Sequence, residues 1–305
     1  MTLSPVVLDL DGSVGPLPDE HRVALTDWQE RLRFGCSTRV LEQFGSDLEG
    51  RLPPPSAHGT VLLGSGDFHH LTPLLIARQL RVRTGPIEVI VLDNHPDNMR
   101  FPMGIHCGSW VTFVTSLPGV SHVHVVGITS GDLGWTHAWE NRLGPLYGGR
   151  LTYWCTGIRT GWSRLTGLGH AVRAFATPDE LVEVFGDVVR RSADSVYLSI
   201  DKDVFSADVI RTNWDQGCLR ESHARTLIHA MSGRIIGSDI TGDVSAYSYR
   251  TTWKRWLSRV DGQAAPTAAE LESWRPGQRI LDGHLVDSIS MAHRANHAPA
   301  ALVAR

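Results

Sequence analysis

Residues 93–97 read Asp-Asn-His-Pro-Asp and follow the apolar run Ile87 to Leu92. On an extended chain, positions two apart point the same way, so Asp93, His95 and Asp97 can converge on one point. Two carboxylates and an imidazole suit a divalent cation. The same triplet also suits a strand end entering an Asx-type turn, with Pro96 breaking the strand. A second segment, SIDKD at 199–203, repeats the spacing with Asp201 and Asp203, again after an apolar run. Four carboxylates brought together repel and raise one another's pKa values. A compensating charge of about +4 removes the repulsion, and two divalent cations supply it. His95 and a histidine from GDFHH (66–70) complete the set. Oxygen-rich ligation with a minority of imidazole suits manganese better than zinc. Two metals about 3.5–4 Å apart share a water and lower its pKa toward neutrality.

Positioning these residues requires strands that end at them. Short apolar runs recur at 5–10, 60–65, 87–93, 122–128, 151–156, 195–201 and 234–240, most of them rich in Val and Ile. They read as buried strands. Helical patterns lie between, at 70–81, 177–192 and 220–233. Thr177 stands as the N-cap of the second, with Pro178 in its first turn and acids following. Alternating strands and helices predict a three-layer α/β/α fold with a mainly parallel sheet. Ligands of such sheets bind outside the carboxyl ends of the strands, where GDFHH, DNHPD, SIDKD and SDITGD stand.

The 305 residues suffice for a single catalytic domain over 1–292, followed by a loose tail at 293–305. The Pro-rich stretch 51–59 and the segment 261–278 read as loops. Net charge is −3, which argues against a general nucleic-acid or membrane-surface binder. No apolar run approaches the roughly 18 residues a membrane span needs, and the N-terminus lacks a signal-peptide pattern. Cys36, Cys107, Cys155 and Cys218 lie far apart with no CxxC pair, which fits reduced thiols in the cytoplasm. Fifteen histidines are many for this length and raise the prior for metal. The ten tryptophans read mainly as packing.

GDFH (66–69), DNHPD (93–97) and SIDKD (199–203) resemble, in order and separation, the G-G-D-H, D-A-H-x-D and S-x-D-x-D patterns of the ureohydrolases, the arginase and agmatinase superfamily. The resemblance covers residues 60 to 245. It implies the arginase-deacetylase-like fold and two manganese ions. His69, Asp93, Asp97 and Asp201 would hold one ion, and Asp93, His95, Asp201 and Asp203 the other. Gapless matching puts His69 on the ligand position, loses the usual Asp before it, and leaves His70 as a rival. His106, in GIHCGSW, stands where the family has a proton-transfer histidine, although Cys107 separates it from Gly108.

The family's D-x-x-E glutamate, which holds the substrate's cation, has no counterpart: Asp239 is followed at +3 by Gly242, and Asp243 comes one residue later. Asp243 is the nearest carboxylate for a guanidinium, and Trp214 and Asp215 stand where the family has a Gly-rich loop. The resemblance thus implies hydrolysis of a linear C–N bond in a guanidino or amidine substrate, releasing urea, with His106 and Asp97 in proton transfer. The substrate would be a small molecule or a peptidyl arginine. The family's trimers and hexamers leave a homo-oligomer as an open expectation.

Three rival readings stand beside this one. Metal-dependent deacetylases share the fold but use one zinc on a D-x-H site. VVLDLDGSV (6–14) resembles the nucleophile motif of haloacid-dehalogenase-type phosphatases, with Asp9 phosphorylated and Asp11 as acid, but leaves both downstream clusters unexplained. A degenerate member that binds without turnover is the third.

Overall fold

The computed structural model describes residues 3–260, 262–263 and 266–294. Each of the seven apolar runs contains a strand. These are β1 (Val6–Asp9), β3 (Val61–Leu62), β4 (Ile87–Leu92), β5 (Val120–Ile128), β6 (Leu151–Thr156), β8 (Ser195–Asp201) and β9 (Ile235–Thr241), and β2 (His21–Ala24) and β7 (Val172–Phe175) join them. Together they form one nine-stranded sheet in the order β2-β1-β3-β9-β8-β4-β5-β6-β7. Every neighbouring pair is parallel. Strands β2 and β7 are the two edges. Half-exposed edge strands carry no apolar run, which is why the sequence pattern passes over them.

Alternate residues of the central strands enter opposite apolar layers. Val89 and Val91 pack on one side with Phe44 of α1 (Thr38–Glu49) and Ile76 of α2 (Thr72–Val82). Ile90 and Leu92 pack on the other, with Leu181 of α3 (Pro178–Arg191), Leu227 of α4 (Glu221–Ala230) and Leu285 of α6 (Ala268–Arg294). A short helix, α5 (Thr252–Val260), precedes α6. This is the three-layer α/β/α arrangement. At the start of α3, Thr177 Oγ1 accepts from the Glu180 amide at 3.2 Å, as the capping pattern predicts.

The segment expected as a loop at 261–278 departs from that reading, because its second half belongs to α6. Good helix formers at 268–274 carry the helix, and tertiary anchors hold it through Pro276. Gln278 donates to the Arg211 carbonyl at 2.5 Å, and Leu281, Leu285, Ile289 and Ala292 bury one face. Of the expected tail, 293–294 end this helix and 295–305 lie outside the described residues. No helix among the described residues is long and apolar enough to cross a membrane.

Candidate metal centre

Three adjoining loops carry the cluster: those leaving β3, β4 and β8, all in the middle of the sheet. The segment after β4 does not stay extended. The His95 amide donates to Asp93 Oδ1 at 2.6 Å, closing an Asx-type turn, and Asp97 takes a left-handed backbone with φ +45°. The two readings of DNHPD therefore coexist, since the turn itself aims His95 and Asp97 at two neighbouring points. After β8 the Asp203 amide donates to Asp201 Oδ1 at 3.1 Å, and Asp203 Oδ1 accepts from the Asn94 amide at 3.1 Å. These bonds lock the two segments to each other.

His69 Nδ1 lies 3.3 Å from Asp93 Oδ2, 3.2 Å from Asp97 Oδ2 and 3.4 Å from Asp201 Oδ2. His95 Nδ1 lies 3.0 Å from Asp203 Oδ2 and 3.6 Å from Asp93 Oδ1. Asp93 thus belongs to two ligand groups, His69–Asp93–Asp97 and Asp93–His95–Asp203. His70, the rival of His69, is buried outside both groups.

Each ring is oriented through its far nitrogen. His69 Nε2 meets Ser199 Oγ at 2.9 Å, and Ser199 Oγ donates to Asp239 Oδ1 at 2.7 Å. His95 Nε2 meets Asp215 Oδ1 at 2.6 Å. Acceptors at Nε2 fix the proton there and leave both Nδ1 lone pairs facing carboxylates. Lone pairs facing anions are stable only around a proton or a cation. His69 Nδ1 and Asp93 Oδ2 are buried without a hydrogen-bond partner, as ligand atoms for a metal would be. The titration of the cluster tells the same story. Burial and the Asp93 charge push the Asp97 carboxyl up to about 7. Burial would lower the His69 pKa, but the carboxylates of Asp201, Asp93 and Asp97 that face the ring outweigh it and raise it well above the usual value. The donor set fits a pair of hard divalent cations.

Over the cluster opens a cavity of about 390 Å³, lined by Asp93, His95, Asp97, Asp201 and Asp203 and, higher up, by His106, Trp214 and Asp215. His106 Nδ1 accepts from the Gly108 amide at 3.0 Å, and burial lowers the His106 pKa to about 4. The ring is therefore neutral near pH 7 with its proton on Nε2. Asp132, His137 and Glu140 also line the cavity, and sequence reasoning missed them. They follow the β5 run, so the strand-end rule that singled out DNHPD would have reached them as well.

Asp243 is the exception among the expected site residues. It lines no part of this cavity. Its Oδ1 lies 2.8 Å from Lys202 Nζ, which also donates to Asp282 of α6 at 2.7 Å, and all three side chains are fully buried. Lys202 opens the 3-10 turn Lys202–Val204 that follows β8, and from there its side chain reaches α6 rather than the cluster. Gly242, at the family's glutamate position, has φ +96°, and a Cβ there would lie 2.5 Å from Asp201 Oδ1. A glutamate would strike a metal-cluster carboxylate, so the expected cation-holding group is excluded here rather than shifted by one residue. Asp67 also turns away, held 2.6 Å from Arg33 Nε. Asp9 and Asp11, the residues of the phosphatase reading, pair with Arg22 and Arg33 at 3.5 and 3.0 Å and lie outside the cavity lining.

No protein-family profile matches the chain. An uncharacterized protein of Thermotoga maritima is 27% identical over 252 residues, which cover 82% of this chain and 83% of that one. Among solved structures, the proclavaminate amidino hydrolase of Streptomyces clavuligerus is 18% identical with a TM-score of 0.53, covering 95% of this chain and 93% of its own. A hypothetical agmatinase of Burkholderia thailandensis is 13% identical with a TM-score of 0.53, covering 98% and 88%. The formiminoglutamase of Trypanosoma cruzi with Mn2+2 is 12% identical with a TM-score of 0.50, covering 90% and 74%. These likenesses show that the chain has the ureohydrolase fold.

Proposed function

We propose that this chain, built on the ureohydrolase fold, is a cytoplasmic two-metal hydrolase that cleaves a linear C–N bond of a guanidino substrate, releasing urea, or of an amidine-type one, releasing the amide. The observation that carries the reading is the pair of histidines, each pinned through Nε2 and each turning Nδ1 toward the shared Asp93. His69, Asp93, Asp97 and Asp201 would hold one ion, and Asp93, His95, Asp201 and Asp203 the other. Manganese is favoured by the oxygen-rich donor set and by the Mn2+2 of the formiminoglutamase. Two divalent ions held there would supply water activated near neutral pH and Lewis-acid polarisation of the carbon–nitrogen bond.

The chain's own residues do the rest. Asp97 Oδ2 is fixed by the Trp110 indole N–H at 2.6 Å, which leaves Oδ1 to carry a proton to the departing amine. His106 presents Nε2–H to the cavity as a donor that orients the substrate and helps relay that proton. With Asp243 occupied by Lys202, the substrate's cation is met by the carboxylates of the rim, Asp132, Glu140 and Asp215. Trp214 walls the cavity between Gly66 and His95 and excludes water there.

The test is a urea-release screen of manganese-loaded protein against arginine, agmatine, other guanidino acids and arginine-containing peptides, with metal counted on the same sample. We expect about two manganese per chain and urea from at least one cationic substrate. One zinc per chain would favour the deacetylase-like reading. Two metals without urea or other amine release from any of these compounds would favour a binding protein.

A further inference from the structure

A second cavity, of about 500 Å³, has the opposite chemistry. Arg33, Arg255 and Arg259 line it together with Asn213, Ser245 and Tyr249, and its described lining includes no carboxylate. The three arginines are not equivalent. Arg33 is buried and balanced, with Nε 2.6 Å from Asp67 Oδ2 and a second nitrogen 3.0 Å from Asp11 Oδ2. Arg255 is exposed, and among the described residues its guanidinium is fixed by carbonyls alone, those of Tyr249 at 3.1 Å and Arg250 at 3.1 Å. Arg259, one turn later on α5, has no ion-pair partner among the described residues. Two like charges four residues apart on a helix face repel each other, and an anion between them reverses the sign of that interaction. Neutral donors stand behind them. Ser245 Oγ accepts from Arg33, so its own O–H remains to be donated.

We propose that this basic cavity is a site for a small oxyanion, carboxylate or phosphate, held by the Arg255 and Arg259 guanidinium groups with Ser245 as a neutral donor. The two cavities share walls. Asn213 faces the basic one while Trp214 faces the acidic one, and Arg259 and Val260 divide in the same way. Asn213 is tied to the Ser245 backbone, donating to its carbonyl at 3.0 Å and accepting from its amide at 2.9 Å. An anion that draws in Ser245 and Arg259 therefore moves the segment that carries Trp214 and Asp215, the latter being the partner of His95. The anion acts as an effector of the metal cavity.

Calorimetry on the full chain with inorganic phosphate, and separately with succinate, tests the site, and the tighter of the two assigns the ligand class. We expect saturable binding that weakens at least about 10-fold in Arg255→Ala and in Arg259→Ala, the loss of one charge-assisted contact each. Both positions are exposed, so the variants fold, and an unchanged melting temperature without anion checks this. Tryptophan fluorescence should change with the anion in the wild type and change less in Trp214→Phe. Absence of binding, or equal binding by wild type and variants, overturns the site. Binding with the same fluorescence change in Trp214→Phe overturns the coupling.

Discussion

The two cavities that meet at the end of α5 are built from one chain and carry opposite charge. The first gathers seven carboxylates with no Lys or Arg among its described lining residues, and the second three arginines with no carboxylate. What separates them is where the compensating charge lies. Behind the basic cavity, Asp11 and Asp67 already neutralise Arg33, so only the two arginines at the mouth ask for a partner. In the acidic cavity only histidines stand against the carboxylates, and their protons are a poor substitute for cations. The lesson is that charge of one sign gathered in a cavity and unbalanced within the fold marks the place where a ligand completes the structure. Lys202, in the turn just after β8, is the counterexample: there charge is balanced internally and no ligand is needed.

Removing the residue common to both ligand groups breaks the acidic side most severely. Asp93→Ala should cost both metals, and with them several kcal/mol of transition-state stabilisation, or roughly 10³-fold or more in rate. Metal analysis after dialysis checks this beside urea release. A variant that keeps two metals and full rate would end the shared-ligand assignment. Next in size is the internally balanced cluster. Lys202→Ala leaves Asp243 and Asp282 buried without their cation, and should cost about 3–5 kcal/mol of stability in denaturant unfolding. If Lys202→Ala unfolds like the wild type, the contrast between a ligand-completed and a self-completed charge cluster fails.

The sequence exposed the acidic cavity far better than the basic one, for physical reasons. Strand ends in a parallel sheet follow Val- and Ile-rich runs, so polar residues placed there stand out, and Asp93, His95, Asp97, Asp201 and Asp203 were legible in this way. The pleat argument reached the residues that the fold brings together by an incomplete route, since an Asx-type turn and a left-handed Asp97 do the aiming. Asp243 misled because spacing along the chain cannot reveal that Gly242 packs against Asp201, or that Lys202, just past the neighbouring strand, pairs with Asp243. Ser199 and Asp239 were quoted within motifs, yet their work as the bracket of His69 is a contact between strands that no single segment displays. The basic cavity draws on residues from 33 to 263, with no period and no motif, and only the tertiary fold assembles it.

The brackets around the histidines sharpen the acidic side at smaller cost. Ser199→Ala and Asp215→Ala each remove the acceptor that orients one ring, and each should weaken metal binding about 10–100-fold. The two should differ in which metal suffers, because Ser199 holds His69 and Asp215 holds His95. Stepwise metal titration distinguishes them. Equal loss of both ions in both variants would mean that the two halves of the centre are not separately supported.

The smallest effect tests the basic side through its outer wall. Glu30 accepts from Tyr247 Oη at 2.5 Å and from Thr251 Oγ1 at 2.7 Å, and so ties the Tyr247 wall of the second cavity to the segment that precedes it. Burial alone would raise the Glu30 pKa, but the hydrogen bonds from Tyr247, Thr251 and Arg250 outweigh it and lower it to about 2. A carboxylate held below its unfolded value of 4.5 adds stability above that pH and loses it as pH falls from 4.5 to about 2. Because Glu30 is largely solvated, the contribution is discounted to the range of exposed ion pairs, about 0.2–1 kcal/mol. Glu30→Gln should therefore melt slightly below the wild type at pH 7, with the gap closing as pH approaches 2. A gap that widens toward acid would show that Glu30 strains this wall. The basic cavity would then depend on the proposed anion alone to hold its shape, as the acidic cavity would on the proposed metals.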